Sequence, residues 1–274
     1  MKKVLLFDCD GVLADTERDG HRVAFNQMWR ESGVPWQWSV EEYGRKLKIG
    51  GGKERMASLF QEPEYLALFR PPETEAERQD LLKKWHQRKT EIYKEIIASG
   101  RIAVRSGVKR LSENALSEGW VLGVCSTSAR EAVESVLLHT VGEENARRFS
   151  LVLAGDVVKA KKPAPDIYVM AADRLQVGPE QCVVIEDSRN GLLSAVAAGM
   201  KCVVTINDYT REEDFSEAAI VLTCLGDPGG EKCVVLANRS GVPVHGFFCV
   251  AALEKLLASA PRKPPSSAGE AERV

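Results

Sequence analysis

The sequence lacks the marks of several large protein classes. It has no apolar run long enough to cross a bilayer, which removes the reason to expect a membrane span. It has no excess of charge: 37 basic residues face 39 acidic ones, for a formal net charge of −2. That balance excludes a nucleic-acid or anionic-membrane binder driven by charge alone, and neither partner is expected. It has no Cys-x-x-Cys pair. Its seven cysteines, Cys9, Cys125, Cys182, Cys202, Cys224, Cys233 and Cys249, are scattered and odd in number. They read as reduced thiols in a reducing compartment, not as zinc ligands or a disulfide framework. Met1-Lys2-Lys3 leads directly into an apolar strand, so no signal or transit segment is expected at this end. What remains is a chain of 274 residues, 44% hydrophobic and 28% charged, ample for a buried core with an insert.

The most informative stretch comes first. Val4-Leu5-Leu6-Phe7 runs without interruption into Asp8-Cys9-Asp10-Gly11. An unbroken apolar run bounded by turn residues reads as a strand buried on both faces, as in a parallel sheet. Such a strand has no use for a carboxylate inside, but it can present one at its C-terminal end, where open α/β sheets bind ligands. Asp8 falls there, and Asp10 can point back into the same space. Two carboxylates so close repel unless a cation or a shared proton intervenes. Mg²⁺ is the natural neutraliser, since it takes oxygen ligands and retains waters for a phosphate. Asp-x-Asp-Gly alone is also an ordinary turn, so the later stretches decide.

From Thr16 to about residue 103 the spacing is helical with almost no strand signal. Ala24, Phe25, Met28 and Trp29 share one helical face; Leu81, Leu82, Trp85, Ile92, Tyr93, Ile96 and Ile97 share another. Trp29, Trp36 and Trp38 read as a small core of this insert, because no basic stripe accompanies them. Strands then alternate with helices. Strands are expected over 120–125, 151–154, 182–185 and 202–205, with helices over 129–138, 166–175 and 191–198. This pattern predicts an α/β fold: a Rossmann-like parallel sheet with an inserted helical cap. The expected division is a discontinuous core of 1–15 and 105–260, a cap of 16–104, and a disordered tail of 261–274. Residues 232–236 and 242–250 read either as a hairpin across Asn238-Arg239-Ser240-Gly241 or as an irregular flap on the sheet edge. A helix is expected over 251–258.

Each predicted strand end carries polar groups. Asp8 and Asp10 follow the first strand, Ser126 and Thr127 the second, and Glu186 and Asp187 a later one. Lys162 lies in the loop Lys159-Ala160-Lys161-Lys162-Pro163. Carboxylates, hydroxyls and a lysine at one sheet edge describe a phosphate site with a metal. The lysine offsets charge on the nucleophile and phosphoryl oxygens, and hydroxyls with free backbone N–H groups hold phosphate. Taken singly, the serine run is a helix N-cap, the lysines a solvated face and the acidic pair a turn. Their joint order is what points to chemistry.

These residues resemble the motifs of the haloacid dehalogenase superfamily. Asp8-Cys9-Asp10-Gly11-Val12-Leu13 matches the first, Ser126-Thr127-Ser128 the second, Lys162-Pro163 the third, and Glu186-Asp187-Ser188-Arg189-Asn190-Gly191 the fourth. The resemblance implies a phosphohydrolase in which Asp8 is the nucleophile and forms an aspartyl-phosphate. Asp10 protonates the leaving oxygen and then activates water, a plausible relay if it starts protonated. Asp8, the Asp10 backbone carbonyl and Asp187 hold Mg²⁺, with Glu186 assisting. Two cap stretches, Asp15 to Arg22 and Tyr43 to Met56, are similar to the CbbY-like proteins of photosynthetic organisms. Members of that group remove xylulose-1,5-bisphosphate, an inhibitor of Rubisco in the Calvin cycle. The carry-over assigns substrate contacts to Glu17, His21, Lys48, Lys53 and Arg55, with Gly51 and Gly52 allowing close backbone approach. It also implies a small sugar bisphosphate as the partner, a monomer, and a chloroplast stromal location, or otherwise a cytoplasmic one. The segment 231–245 looks longer than the family pattern. A phosphosugar mutase of the β-phosphoglucomutase kind shares all four motifs and the cap. A phosphosugar-binding protein that has lost catalysis is a third reading, against which the intact Asp8, Asp10, Lys162 and Asp187 argue.

Overall fold

The computed structural model describes residues 1–259. The predicted tail lies outside the described residues. Seven strands form one sheet: β1 (Val4–Phe7), β2 (Val121–Cys125), β3 (Leu151–Leu153), β4 (Cys182–Glu186), β5 (Lys201–Thr205), β6 (Ile220–Leu222) and β7 (Val235–Asn238). Their spatial order is β3-β2-β1-β4-β5-β6-β7. All pairings are parallel except that of β6 with β7. Every residue of β1 and β4 is buried, which is why β1 and Cys182 to Ile185 of β4 are apolar without alternation, with Glu186 at the strand end. After β3 the chain crosses to the other side of β1, so the strand order reverses between β1 and β4. Open α/β sheets bind their ligands outside the C-terminal ends at such a reversal. Register puts Phe7 beside both Val124 and Ile185, so Asp8, Ser126 and Glu186 emerge at nearly the same level.

Between β1 and residue 104 lie a π-helical turn (Glu17–His21) and five α-helices: α1 (Arg22–Glu31), α2 (Val40–Lys46), α3 (Gly52–Ser58), α4 (Pro63–Leu68) and α5 (Glu75–Ala98). Reciprocal capping boxes start two of them, Ser39 with Glu42 on α2 and Thr74 with Glu77 on α5. The tryptophans form a core here. Trp29 and Trp38 meet edge to face at 4.5 Å, Phe25 sits 5.1 Å from Trp38, and the half-buried Trp36 packs on Tyr65 at 5.3 Å. Two chain crossings join this helical segment to the sheet side by side: Asp15 N–H donates to the Ala103 carbonyl and Arg105 N–H to the Leu13 carbonyl.

The core helices are α6 (Val108–Ser117), α7 (Arg130–Val141), α8 (Glu143–Ala146), α9 (Asp166–Leu175), α10 (Arg189–Ala197) and α11 (Val250–Ala258). The hairpin reading fails. Val235–Asn238 instead adds antiparallel to β6, a strand too short and too far away in sequence to be read from the chain, and 242–249 has no strand. Arg110 on α6 pins this segment: its Nε donates to Asp227, its Nη2 to the Gly226 and Phe248 carbonyls, and its guanidinium lies 5.1 Å from the Phe247 ring. The seven cysteines are free thiols, and all but Cys249 are buried.

Candidate active site

A cavity of about 580 Å³ opens at the strand reversal, between the sheet edge and α2, α3 and the turn before them. Asp8, Asp10, Ser126, Thr127, Lys162 and Asp187 line its floor. Asp8 leaves β1 with its N–H donating to Ile185. Lys162 Nζ donates to Asp8 Oδ1 at 2.6 Å, to Glu186 Oε1 at 2.6 Å and to the Cys125 carbonyl at 2.9 Å. One ammonium therefore bridges the ends of three adjacent strands. Glu186 lies behind the cavity wall, 1% exposed, with Tyr168 Oη donating to it at 2.5 Å. The first turn of α10 comes so close that a Cβ on Gly191 would lie 1.9 Å from Glu186 Oε2. Gly11, at φ +78°, makes the turn after Asp10; a Cβ there would lie 2.1 Å from Asp187 Oδ2.

Asp8, Glu186 and Asp187 offer one carboxylate oxygen each within 4.8 Å of one another, all buried. Burial pushes the Asp8 carboxyl up to about 8; Lys162 opposes this, and Glu186 and Asp10 add to it. Asp187 is also raised, by burial and then by Asp8 and Glu186. Burial would lower Lys162, but Asp8 and Glu186 outweigh it and keep the lysine charged. Three acids against one lysine leave a site short of positive charge, and its donors are all oxygen. The residues therefore fit a hard divalent cation, and they could hold one.

Asp10 differs from its neighbours. Oδ1 accepts from Thr16 Oγ1 at 2.6 Å and from His21 Nε2 at 2.7 Å, with Tyr93 Oη at 3.3 Å. Oδ2 accepts from Ser128 Oγ at 2.5 Å. Burial alone would raise this carboxyl, but His21, Ser128 and Thr16 overturn that and hold it well below the usual carboxylate range. Asp10 is thus ionised in this conformation, opposite to the protonated start that the relay assumed. Behind it, Lys89 on α5 reaches His21 Nδ1. Lys89 is 5% exposed and lies 4.6 Å from the Phe25 ring and 4.9 Å from the Tyr93 ring. Burial pulls its ammonium down to about 8 against the pull of Asp10 and Glu17.

The opposite wall comes from the helical segment: Glu17, Lys48, Gly51, Gly52 and Arg55 line it. Arg55 Nε donates to the Ile49 carbonyl at 2.9 Å and Nη1 to Tyr43 Oη at 3.0 Å, with Glu17 at 3.7 Å. Tyr43 Oη donates to Glu17 Oε2 at 2.5 Å. Arg55 Nη2 has no hydrogen-bond partner among the described residues, and Arg55 faces the cavity. Two expected substrate residues do not reach the cavity. His21 sits behind Asp10, and Lys53 is turned across to the sheet side, where it meets Asp156 at 2.8 Å. The sequence reading missed Ser128 as a partner of Asp10, and missed Tyr43 and Lys89 as supports. It also missed the rim residues Arg189, Asn190, Asn207, Tyr209 and Glu213.

A buried strand-end carboxylate beside a lysine, with an acidic pair and hydroxyls around a cavity of this size, defines a phosphohydrolase site. The haloacid dehalogenase-like hydrolase family model matches residues 2–199. The CBBY-like protein of Arabidopsis thaliana is 46% identical over 85% of this chain and 72% of its own. Protein CbbY of Rhodobacter capsulatus is 42% identical over 79% of this chain and 90% of its own. A crystal structure of a mutant CbbY from Rhodobacter sphaeroides, in complex with xylulose-(1,5)bisphosphate, is 38% identical, with a TM-score of 0.74 over 82% of this chain and 95% of that one. The chain belongs to the haloacid dehalogenase-like hydrolases and, within them, to the CbbY-like group of phosphatases.

Proposed function

We propose that this chain is a Mg²⁺-dependent phosphatase of small sugar bisphosphates, with xylulose-1,5-bisphosphate as its substrate and Asp8 as its nucleophile. The observation that carries the reading is the pairing of two cationic poles across one cavity. Lys162 serves the phosphoryl end, and the open Nη2 of Arg55 with Lys48 faces it from the helical wall. Lys48 lines the same wall, and its charge acts on the Glu213 carboxylate at the cavity rim. The Rhodobacter sphaeroides complex with that bisphosphate supports the choice of substrate. A stromal location and a role in relieving Rubisco inhibition follow from the resemblance and belong to the same proposal.

Asp8, the Asp10 backbone carbonyl and Asp187 would hold the metal, with Glu186 assisting. When bound, it supplies positive charge to the phosphoryl oxygens and keeps Asp8 ionised. Asp8 attacks phosphorus, a P–O–Asp8 bond forms, and the ester P–O bond breaks. The leaving alkoxide takes a proton from Asp10, and a water that returns one to Asp10 hydrolyses the acyl phosphate. His21, Ser128 and Thr16 hold Asp10 ionised here, so Asp10 takes up the proton it donates only on leaving those partners. Ser126 and Thr127 would hold phosphate oxygens, and Lys162 the developing charge. The test is a phosphate-release panel of sugar mono- and bisphosphates with and without Mg²⁺. A bisphosphate should lead, and only with metal. Glucose 6-phosphate formation without phosphate release would favour the mutase, and silence on both would favour a binding protein.

A further inference from the structure

The loop after β5 approaches the acidic cluster from a side that no motif covers. Asn207 Nδ2 donates to Asp187 Oδ2 at 2.7 Å. The amide cannot turn over without loss, because its Oδ1 accepts from Tyr209 N–H at 2.9 Å and Thr210 N–H at 3.2 Å. Thr210 closes the loop by accepting the Asn207 N–H on its Oγ1 at 3.0 Å, and it is 6% exposed. Both ends of the amide are therefore committed, and the NH₂ must face Asp187. Asp187 Oδ1 receives no hydrogen bond among the described residues.

A neutral donor at this place has a particular effect. A lysine or arginine here would add a second cation beside the acids that Lys162 already serves and lower the site's need for a metal. An amide fixes the carboxylate rotamer and leaves its charge intact. The same loop also touches the helical wall. Tyr209 meets the Tyr43 ring edge to face at 6.2 Å, and a Cβ on Gly44 would lie 3.0 Å from Tyr209 Cδ1. We infer that Asn207 is a positioning residue for the metal, holding Asp187 in its ligand orientation from a loop seated against the helical segment. This rests on the reading of Asp8, Glu186 and Asp187 as the metal site.

The test uses the full chain without substrate, Mn²⁺ binding by paramagnetic resonance and Mg²⁺ binding by calorimetry. Asn207→Ala removes the donor and the loop acceptor. Asn207→Ser keeps an acceptor for the loop N–H groups but is too short to reach Asp187. Both variants should bind metal about 10–100-fold more weakly, with the serine variant's metal-free melting temperature close to wild type. A role in loop structure alone would instead lower that temperature and spare the affinity. If Asn207→Ala does not fold, the serine variant decides. Wild-type affinity in a folded Asn207→Ser protein would overturn the inference. A wild type that binds neither ion would overturn the metal reading itself.

Discussion

Replacing Arg55 should separate reading a second phosphate from supporting the fold. Its Nε and Nη1 are committed to Ile49 and Tyr43, Nη2 has no hydrogen-bond partner among the described residues, and Arg55 lines the cavity. A charge-assisted hydrogen bond to phosphate contributes about 1.5–3 kcal/mol. At about 1.4 kcal/mol per decade, its loss in Arg55→Ala lowers kcat/KM for a bisphosphate roughly 10–100-fold. The same substitution also frees Tyr43 and leaves Glu17 without its nearby cation. An ordinary hydrogen bond contributes about 1 kcal/mol, so a monophosphate should lose only about fivefold. Arg55→Lys should fall between the two, since an ammonium keeps the charge but cannot grip Ile49, Tyr43 and phosphate in one plane. The assay is kcat/KM on xylulose-1,5-bisphosphate, which is cleaved to xylulose 5-phosphate, and on xylulose 1-phosphate, which lacks the second phosphate, for all three proteins. Equal losses on both substrates would refute the reasoning and make Arg55 a support of the helical wall.

Three further outcomes follow from the geometry. Asp10→Asn keeps the Ser128 and Thr16 neighbours but cannot carry a proton, so turnover should drop by about 10²–10⁴; a loss below tenfold would remove Asp10 from the relay. Apparent Mg²⁺ affinity should rise from pH 6 to 8. Asp8, raised to about 8 in the metal-free protein, holds its proton below that pH, and binding must displace it; a flat calorimetric profile would contradict this. Lys53→Ala breaks a largely exposed pair with Asp156, a contribution of about 0–1 kcal/mol, so kcat/KM should change by about fivefold or less. A hundredfold loss would mean that Lys53 swings inward to meet substrate.

The strand ends were legible because burial leaves a local signature. Val4 to Phe7 and Cys182 to Ile185 are apolar without alternation, so the acids that follow stand out. The supports were less visible because their partners lie far apart in sequence. Lys89 and His21 are 68 residues apart, and their contact depends on how α5 packs against the turn Glu17–His21. A signal existed: Lys89 falls in the stripe of Leu82, Trp85, Ile92, Tyr93 and Ile96, where a buried lysine needs a partner. Asn207 gave less, since an asparagine after a strand is an ordinary turn residue, and its turn bonds are real. The direction of Lys53 could not be read at all, because α3 offers it both the cavity and Asp156 across the gap. For residues 232–236 and 242–250 the hairpin alternative failed because β7 pairs with β6, a strand of three residues that the sequence did not signal.

The central claim is that Asp8 takes the phosphoryl group from a sugar bisphosphate. The direct measurement is phosphate release from xylulose-1,5-bisphosphate with Mg²⁺, wild type against Asp8→Asn, alongside acid-quenched labelling of the protein by substrate phosphate. The wild type should turn over and carry a base-labile label on Asp8. Asp8→Asn, a near-isosteric change at a strand end that lines the cavity, should fold, carry no label and release no phosphate. Turnover by folded Asp8→Asn above a few per cent of wild type, or a label on another residue, would contradict the account.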